Sequence, residues 1–319
     1  MKPWTAWSLK LAGTILAFGA LFWLIDLEAA VDAARKIQPL SLVAGFFFYA
    51  AGLAIAALRW RYVLARHEIF VPWIETLRVN LTGIFASTFL PGAVGGDLIR
   101  PLMLQTPAPA SRTTLYASIA FERLTGIAAT LTWSGLGLLL LPPTSISGPL
   151  RFGLAIAVSC LVAGILALTL AGPMIARIGG LPERLRTFAS NFSRFFRTVL
   201  TRPRVLVATY GFSLAFQLSM ILMYSVFILG LTEPESLAAL LLAPPVAWLA
   251  SMVPVSVNGF GIREGTLALV LSSFGVDKAA AGGAALLAVV PMLLAAAAGF
   301  VILLHSRATL ASIRERRRS

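Results

Sequence analysis

The sequence predicts an all-α polytopic membrane protein: about six transmembrane helices, plus two re-entrant hairpins broken by Pro and Gly and related as inverted repeats. Three observations lead there. Apolar residues come in runs long enough to cross a bilayer, arginines collect in alternate gaps between those runs, and one ten-residue motif occurs twice in the same register.

Composition rules out a soluble fold. The chain has 319 residues, of which 58% are hydrophobic and only 12% charged, with a mean hydropathy of +0.87. That charge is about half of what a soluble domain carries. The net charge of +13 does not point to nucleic acid, because the basic residues sit in the gaps between apolar runs, where they report orientation. Cys160 is the only cysteine, so no disulfide forms within one chain. His67 and His305 lie far apart at run ends, so neither a metal nor a cofactor site is indicated.

Full crossings are expected at about 8–25, 40–58, 113–141, 151–172, 204–230 and 280–304. The first follows Lys2 and contains Lys10, like a signal peptide, but it is longer than a usual apolar signal region and no clear cleavage site follows, so a retained span is expected. Arginines cluster after the second span (Arg59, Arg61, Arg66, Arg78), between 173 and 204, and after the last span, whereas the loop at 142–150 has no basic residue and that at 231–236 has only Glu233 and Glu235. The Arg-rich gaps are therefore assigned to the cytoplasm, with both termini cytoplasmic. The setting expected is the plasma (inner) membrane of a bacterium.

This orientation makes two broken stretches, 76–99 and 237–275, enter and return on the same face, the first from the cytoplasm and the second from outside. Full crossing by one or both, for seven or eight spans, is the alternative. The chain is read as one integral domain, 1–319, with pseudo-repeats at about 40–141 and 204–304. From 182 to 202, Leu185, Phe188, Phe192, Phe195, Phe196 and Val199 fall on one helical face, with Arg184, Arg186, Arg194 and Arg197 between them. A cytoplasmic amphipathic helix on the anionic inner leaflet is expected. The alternative is a connector helix packed on the protein.

The broken stretches carry the repeated motif. Pro91-Gly-Ala-Val-Gly95-Gly96-Asp97-Leu-Ile-Arg100 and Pro254-Val-Ser-Val-Asn258-Gly259-Phe-Gly261-Ile-Arg263 both fit P-x-x-x-[GN]-G-x-x-I-R. Three spans between the copies invert the second. Pro91 and Pro254 stop helices by removing a donor, and Gly95, Gly96, Gly259 and Gly261 permit turns that other residues resist. The freed backbone groups must be buried in protein or line a wet space. Charges gather there: Asp97 and Arg100, Arg263 and Glu264, and Glu122 and Arg123, which lie roughly 13 Å into the third span. A charge near the membrane centre costs at least ~2.5 kcal/mol unless it is paired or hydrated.

The functional reading is a central polar cavity in which Arg100, Arg123 and Arg263 hold a phosphate or carboxylate, Asp97, Glu122 and Glu264 orient them, and Asn258 contacts the ligand or caps a helix. The competing reading is pairs that merely pin hairpins to spans, or that snorkel.

The strings Leu90–Arg100, Glu122-Arg-Leu-Thr-Gly126 and Val257–Gly265 together resemble the lysylphosphatidylglycerol synthase transmembrane family, the flippase-like domain. The resemblance covers nearly the whole chain. It implies movement of a polar-headed lipid between leaflets. In the synthases a separate soluble domain makes the lipid; here the chain runs only to Ser319, and aminoacyl transfer is not expected. The partners expected are membrane lipids with an anionic or phosphate-bearing head group, not nucleic acid, with a lipid-synthesis enzyme or a second copy as candidate protein partners.

A non-enzyme is expected. The sequence has no Walker motif, no paired-Asp metal motif and no Ser-His-Asp set. Two alternatives stay open: a membrane enzyme on a lipid-linked substrate, with Asp97 or Glu122 as base, and a non-transporting partner of a lipid-synthesis complex.

Overall fold

The computed structural model describes residues 27–89, 95–105, 111–141, 183–232, 237–252, 256 and 259–316. Among them are ten helices and no strand: α1 (Leu27–Arg35), α2 (Pro39–Ala65), α3 (Trp73–Phe89), α4 (Gly95–Met103), α5 (Arg112–Leu140), α6 (Glu183–Leu200), α7 (Pro203–Leu229), α8 (Leu237–Ser251), α9 (Ile262–Ser272) and α10 (Lys278–Arg316). The spans expected at 8–25 and 151–172, the loop at 142–150, and Pro91, Pro254 and Asn258 lie outside the described residues.

Three described helices are long and apolar enough to cross a membrane: α2, α7 and the Lys278–His305 part of α10. The 29 residues of α5 are also long enough to cross, but Glu122 and Arg123 interrupt its apolar character. Helices α2 and α7 each begin with a proline at the first turn, where a missing N–H leaves nothing unsatisfied, and each runs 27 residues.

These two helices pack closely along their lengths. They run antiparallel: Ser41 faces Gly230, Gly45 faces Phe227, and Gly52 faces Met220. Glycine permits this approach: a Cβ at Gly45 would overlap the Phe227 ring, and one at Gly52 would have to displace the Met220 methyl. Without water to drive helices together, close backbone approach at small residues supplies the packing. Ser219 adds a hydrogen bond from its hydroxyl to the Phe48 carbonyl at 2.9 Å.

The remaining helices pair in a pattern that recurs. α3 folds back against α4, and α8 against α9; α3 also packs on α10, and α8 on α5. Helices α2 to α5 start at 39, 73, 95 and 112, and α7 to α10 at 203, 237, 262 and 278, an offset of 164 to 167 residues throughout. Even the helix crossings match. A Cβ on Gly96 would overlap Ser87 of α3 and the Gly83 carbonyl, and one on Gly259 would overlap Ser251 of α8. Gly259 also has φ +74°, a left-handed conformation that a Cβ resists.

The 182–202 segment forms a helix, α6, but the described part of its apolar face turns toward the protein. Phe195, Phe196 and Val199 are buried against Val63 of α2, Phe121 of α5 and Val205 of α7. The connector arrangement therefore describes this half of the helix, and its apolar face is not free to enter a leaflet. Burying three such side chains recovers about 2 kcal/mol each, provided by neighbours already present in the bundle. The side chains of Leu185 and Phe188 are not among those described.

The imidazole of His67, in the α2–α3 turn, stacks on Phe195 with ring centres 4.2 Å apart. Burial and the nearby Arg202 charge hold its pKa below the usual 6.5. A histidine lowered in the folded state is neutral there while the unfolded chain takes up a proton, so the contact loses stability as pH falls below about 6.5. Protection factors of the α6 amides, corrected for the intrinsic pH dependence of exchange, are expected to be lower at pH 5.5 than at 7.5, and the difference is expected to vanish in His67→Phe. Equal protection factors at both pH values in the unsubstituted protein would contradict this. Gly259→Ala is expected to lower stability by about 1–3 kcal/mol in detergent unfolding, with partial recovery when Ser251→Gly is added.

Candidate functional site

The charged residues of the first motif meet those of α5 inside the helix bundle. Glu122 is 3% exposed, and each of its carboxylate oxygens takes a different guanidinium. Arg59 Nε of α2 donates to Oε1 at 3.1 Å, and an Arg100 η nitrogen of α4 donates to Oε2 at 2.8 Å. Arg59 also donates to the Ser213 hydroxyl of α7 at 3.0 Å, and Ser213 donates to Thr125 of α5 at 3.0 Å. Four helices, drawn from both halves of the chain, thus converge on one carboxylate.

Asp97 extends the cluster outward. It lies 3.7 Å from Arg100 and accepts from Arg123 Nε at 2.8 Å. The Arg123 side chain is 48% exposed, whereas those of Arg59, Arg100 and Asp97 are mostly buried. The Arg100 guanidinium lies 4.2 Å over the Trp60 ring, whose indole N–H donates to Ser118 at 3.0 Å. The ring face stabilises the cation while the edge is tied to α5. Two buried polar atoms near the α3–α4 crossing have no partner among the described residues: Arg100 Nε and Asn80 Oδ1. Arg100 packs its stem on Gly83, one turn beyond Asn80, where any larger residue would displace it.

The second motif builds a different, self-contained pair. Arg263 Nε and an η nitrogen both donate to Glu264 Oε1, at 3.0 and 2.5 Å, while the Gly261 amide donates to Glu264 Oε2 at 2.7 Å. Glu264 thereby satisfies the first turn of α9 as it neutralises its neighbour. The Arg263 guanidinium lies 5.4 Å from the Phe260 ring centre, with Tyr49 and Tyr224 close enough to act on its charge.

The expectation that Arg100, Arg123 and Arg263 share one site is thus only partly met. Arg100 and Arg123 come together through Asp97 and Glu122, but no contact among the described residues joins Arg263 to them. The reason is local: Glu264 follows Arg263 directly and neutralises it, whereas the residue after Arg100 is Pro101, and Arg100 pairs with Glu122 of α5 in addition to Asp97 of its own helix. Of the hairpin-shaping residues, Gly96 and Gly259 stand at the close helix approaches and Gly261 opens α9 with φ +82°. Gly95 begins α4. An open groove of about 570 Å³, lined by residues such as Leu58, Tyr62, Phe70 and Phe212, includes none of the network residues.

Arg59 is the member that sequence reasoning placed elsewhere, among loop charges after a span ending at 58. The helix continues through it to Ala65. The signal was available: residues 59–65 contain no Gly, Pro or Asn to stop a helix.

A bundle of long apolar helices that ties a largely buried charged cluster together defines a multi-pass helical membrane protein. The chain belongs to the family described as "Lysylphosphatidylglycerol synthase TM region", which matches residues 8–299. It is also similar to a protein named "UPF0104 membrane protein" from Methanothermobacter thermautotrophicus, 24% identical over 297 residues that cover 82% of this chain and 83% of that one.

Removing the Glu122 charge leaves two buried guanidiniums without their shared acceptor. Glu122→Gln is expected to cost about 3–5 kcal/mol, read as a lowered unfolding midpoint in detergent. Adding Arg59→Met to it should restore part of the loss. A single variant as stable as the parent would remove the network from the fold's stability.

Proposed function

We propose that this chain is a lipid translocator, moving a phospholipid or another polar-headed lipid between leaflets with the head group at the Glu122 network. The observation that carries the reading is the network itself. Charged residues in membrane helices cost ~2.5–3.5 kcal/mol each near the centre, and a buried ion pair is often less stabilising than apolar residues of the same volume. A cluster of five charged side chains in an otherwise apolar bundle is therefore better explained by a polar cargo than by stability.

The architecture supports the same reading. The offset of 164 to 167 residues, the matching helix pairings and the antiparallel α2 and α7 are what an inverted repeat with two re-entrant hairpins would give. In such proteins, binding occurs at the repeat interface and rocking of the halves alternates access. The two halves tie their motif arginines differently. Arg100 is bound to α5 and Arg263 only to its own helix, so α8–α9 can shift without breaking an ion pair. On this reading the protein is a transporter rather than an enzyme, it resides in a bacterial plasma membrane with its termini cytoplasmic, and its partner is an anionic or phosphate-bearing lipid.

Reconstitution in proteoliposomes with a fluorescent phospholipid and a membrane-impermeant quencher tests this. The parent protein is expected to expose the inner-leaflet pool to quenching. Arg100→Ala and Arg123→Ala are expected to slow this by about tenfold or more, one lost charge-assisted contact being worth at least ~1.4 kcal/mol. Arg35→Ala, at an exposed pair with Asp32, is expected to transport normally. Quenching no faster than in protein-free liposomes would end the transport reading.

A further inference from the structure

We infer that the junction of α4 and α5 is a lateral binding site for a lipid carrying a single phosphodiester charge, with its phosphate on Arg123 and its tails along Leu98 and Leu102. The proposal deepens the translocator reading by naming where cargo is first held and what charge it bears, but the binding it describes can be tested without transport.

Charge is the first argument. The network contains Arg59, Arg100 and Arg123 against Glu122 and Asp97. Three cations and two anions leave one formal positive charge, and no further acid contacts the cluster among the described residues. In an apolar surrounding, an uncompensated charge is expensive. One phosphodiester carries one negative charge and would cancel it, whereas a zwitterionic head group would leave the excess in place.

Position is the second. Arg123 lies on the outward stripe of α5 with Tyr116, Ala120 and Ile127, each at least partly exposed, and is itself the most exposed member of the cluster. Its Nε is taken by Asp97, and its two η nitrogens make no hydrogen bond among the described residues. A guanidinium with Nε occupied still offers an η pair whose fork matches two phosphate oxygens. The same Asp97 carboxylate lies 3.7 Å from an η nitrogen of Arg100, whose buried Nε has no partner among the described residues.

The third argument is the apolar surface beside the charge. Leu98 and Leu102 are 54% and 57% exposed and stand one turn apart on α4, next to Asp97. The Tyr116 hydroxyl donates to the Leu98 carbonyl at 3.2 Å, which fixes α4 on α5 at this level. Acyl chains lying on these leucines would remain in the bilayer while the phosphate reached Arg123. A soluble anion would gain the charge contact but nothing from the leucines, so the site commits to a lipid.

Native mass spectrometry of the full-length protein in detergent, titrated with phosphatidylglycerol and phosphatidylcholine of identical chains, tests the inference. Phosphatidylglycerol is expected to bind about tenfold more tightly. Arg123→Gln should reduce that preference to less than about twofold, Arg123→Lys should keep part of it, and Arg35→Gln should leave it unchanged. Asp97→Asn raises the formal charge to two and should widen the preference, which keeps the inference testable if Arg123→Gln does not fold. Equal binding of the two lipids, a preference that survives Arg123→Gln, or displacement of the lipid by dimethyl phosphate at about millimolar concentration would overturn it. A normal lipid preference in a protein that does not translocate would sink the transport reading and leave this site standing.

Discussion

The Glu122 carboxylate accepts from Arg59 with one oxygen and from Arg100 with the other, and this shared acceptor constrains everything around it. It fixes α2, α4 and α5 at a common level, and through Ser213 it adds α7. In lipid there is no water to substitute for a lost partner. Each guanidinium must therefore stay within reach of the carboxylate, and the helices carrying them must pass close by. Glycine makes that geometry available. Gly83 leaves room for the stem of Arg100, and Gly96 lets α4 lie against α3 at the same crossing.

The two motif copies show how one local pattern yields two electrostatic outcomes. Both place an arginine just past a close Gly–Ser helix approach, and both set an aromatic residue of the preceding long helix near it: Trp60 beside Arg100 and Tyr224 beside Arg263. They differ in the next residue. Glu264 closes its pair within one turn of α9, so that half is electrically complete in itself. Pro101 cannot do so, and Arg100 crosses to α5. The first half is consequently knitted together by charge, and the second by aromatic and apolar packing around Tyr49, Tyr224 and Phe227. The excess positive charge and the exposed guanidinium of Arg123 are both on the knitted side.

Much of the fold was legible because lipid solvation imposes simple rules on sequence. Apolar run length located α2, α5, α7 and α10, and Pro and Gly located the breaks that separate α3 from α4 and α8 from α9. Helix α6 was legible in extent from its periodicity, but not in orientation. Periodicity shows that an apolar face exists and is silent on whether lipid or protein covers it, and Phe195 and Phe196 found protein. At the site, the pairing of Asp97, Arg100, Glu122 and Arg123 was within reach, since unpaired charges in such runs are expensive. The separation of Arg263 from them was less so, because charge alone does not say which acid reaches which arginine. Arg59 was hidden by reading a hydropathy boundary as a helix boundary.

The arrangement of the halves is most directly tested by side-specific cysteine labelling in sealed vesicles, with Cys160 replaced by Ala and an impermeant thiol reagent. Cysteines would be placed one at a time at Glu68 and Gln105, which flank α3–α4, and at Thr232 and Lys278, which flank α8–α9. Labelling of the first two from the cytoplasmic face only, and of the last two from the opposite face only, is the predicted result. Labelling of all four from one face would contradict an inverted pair of hairpins, and with it the reading of the Glu122 network as a station between two sides of a membrane.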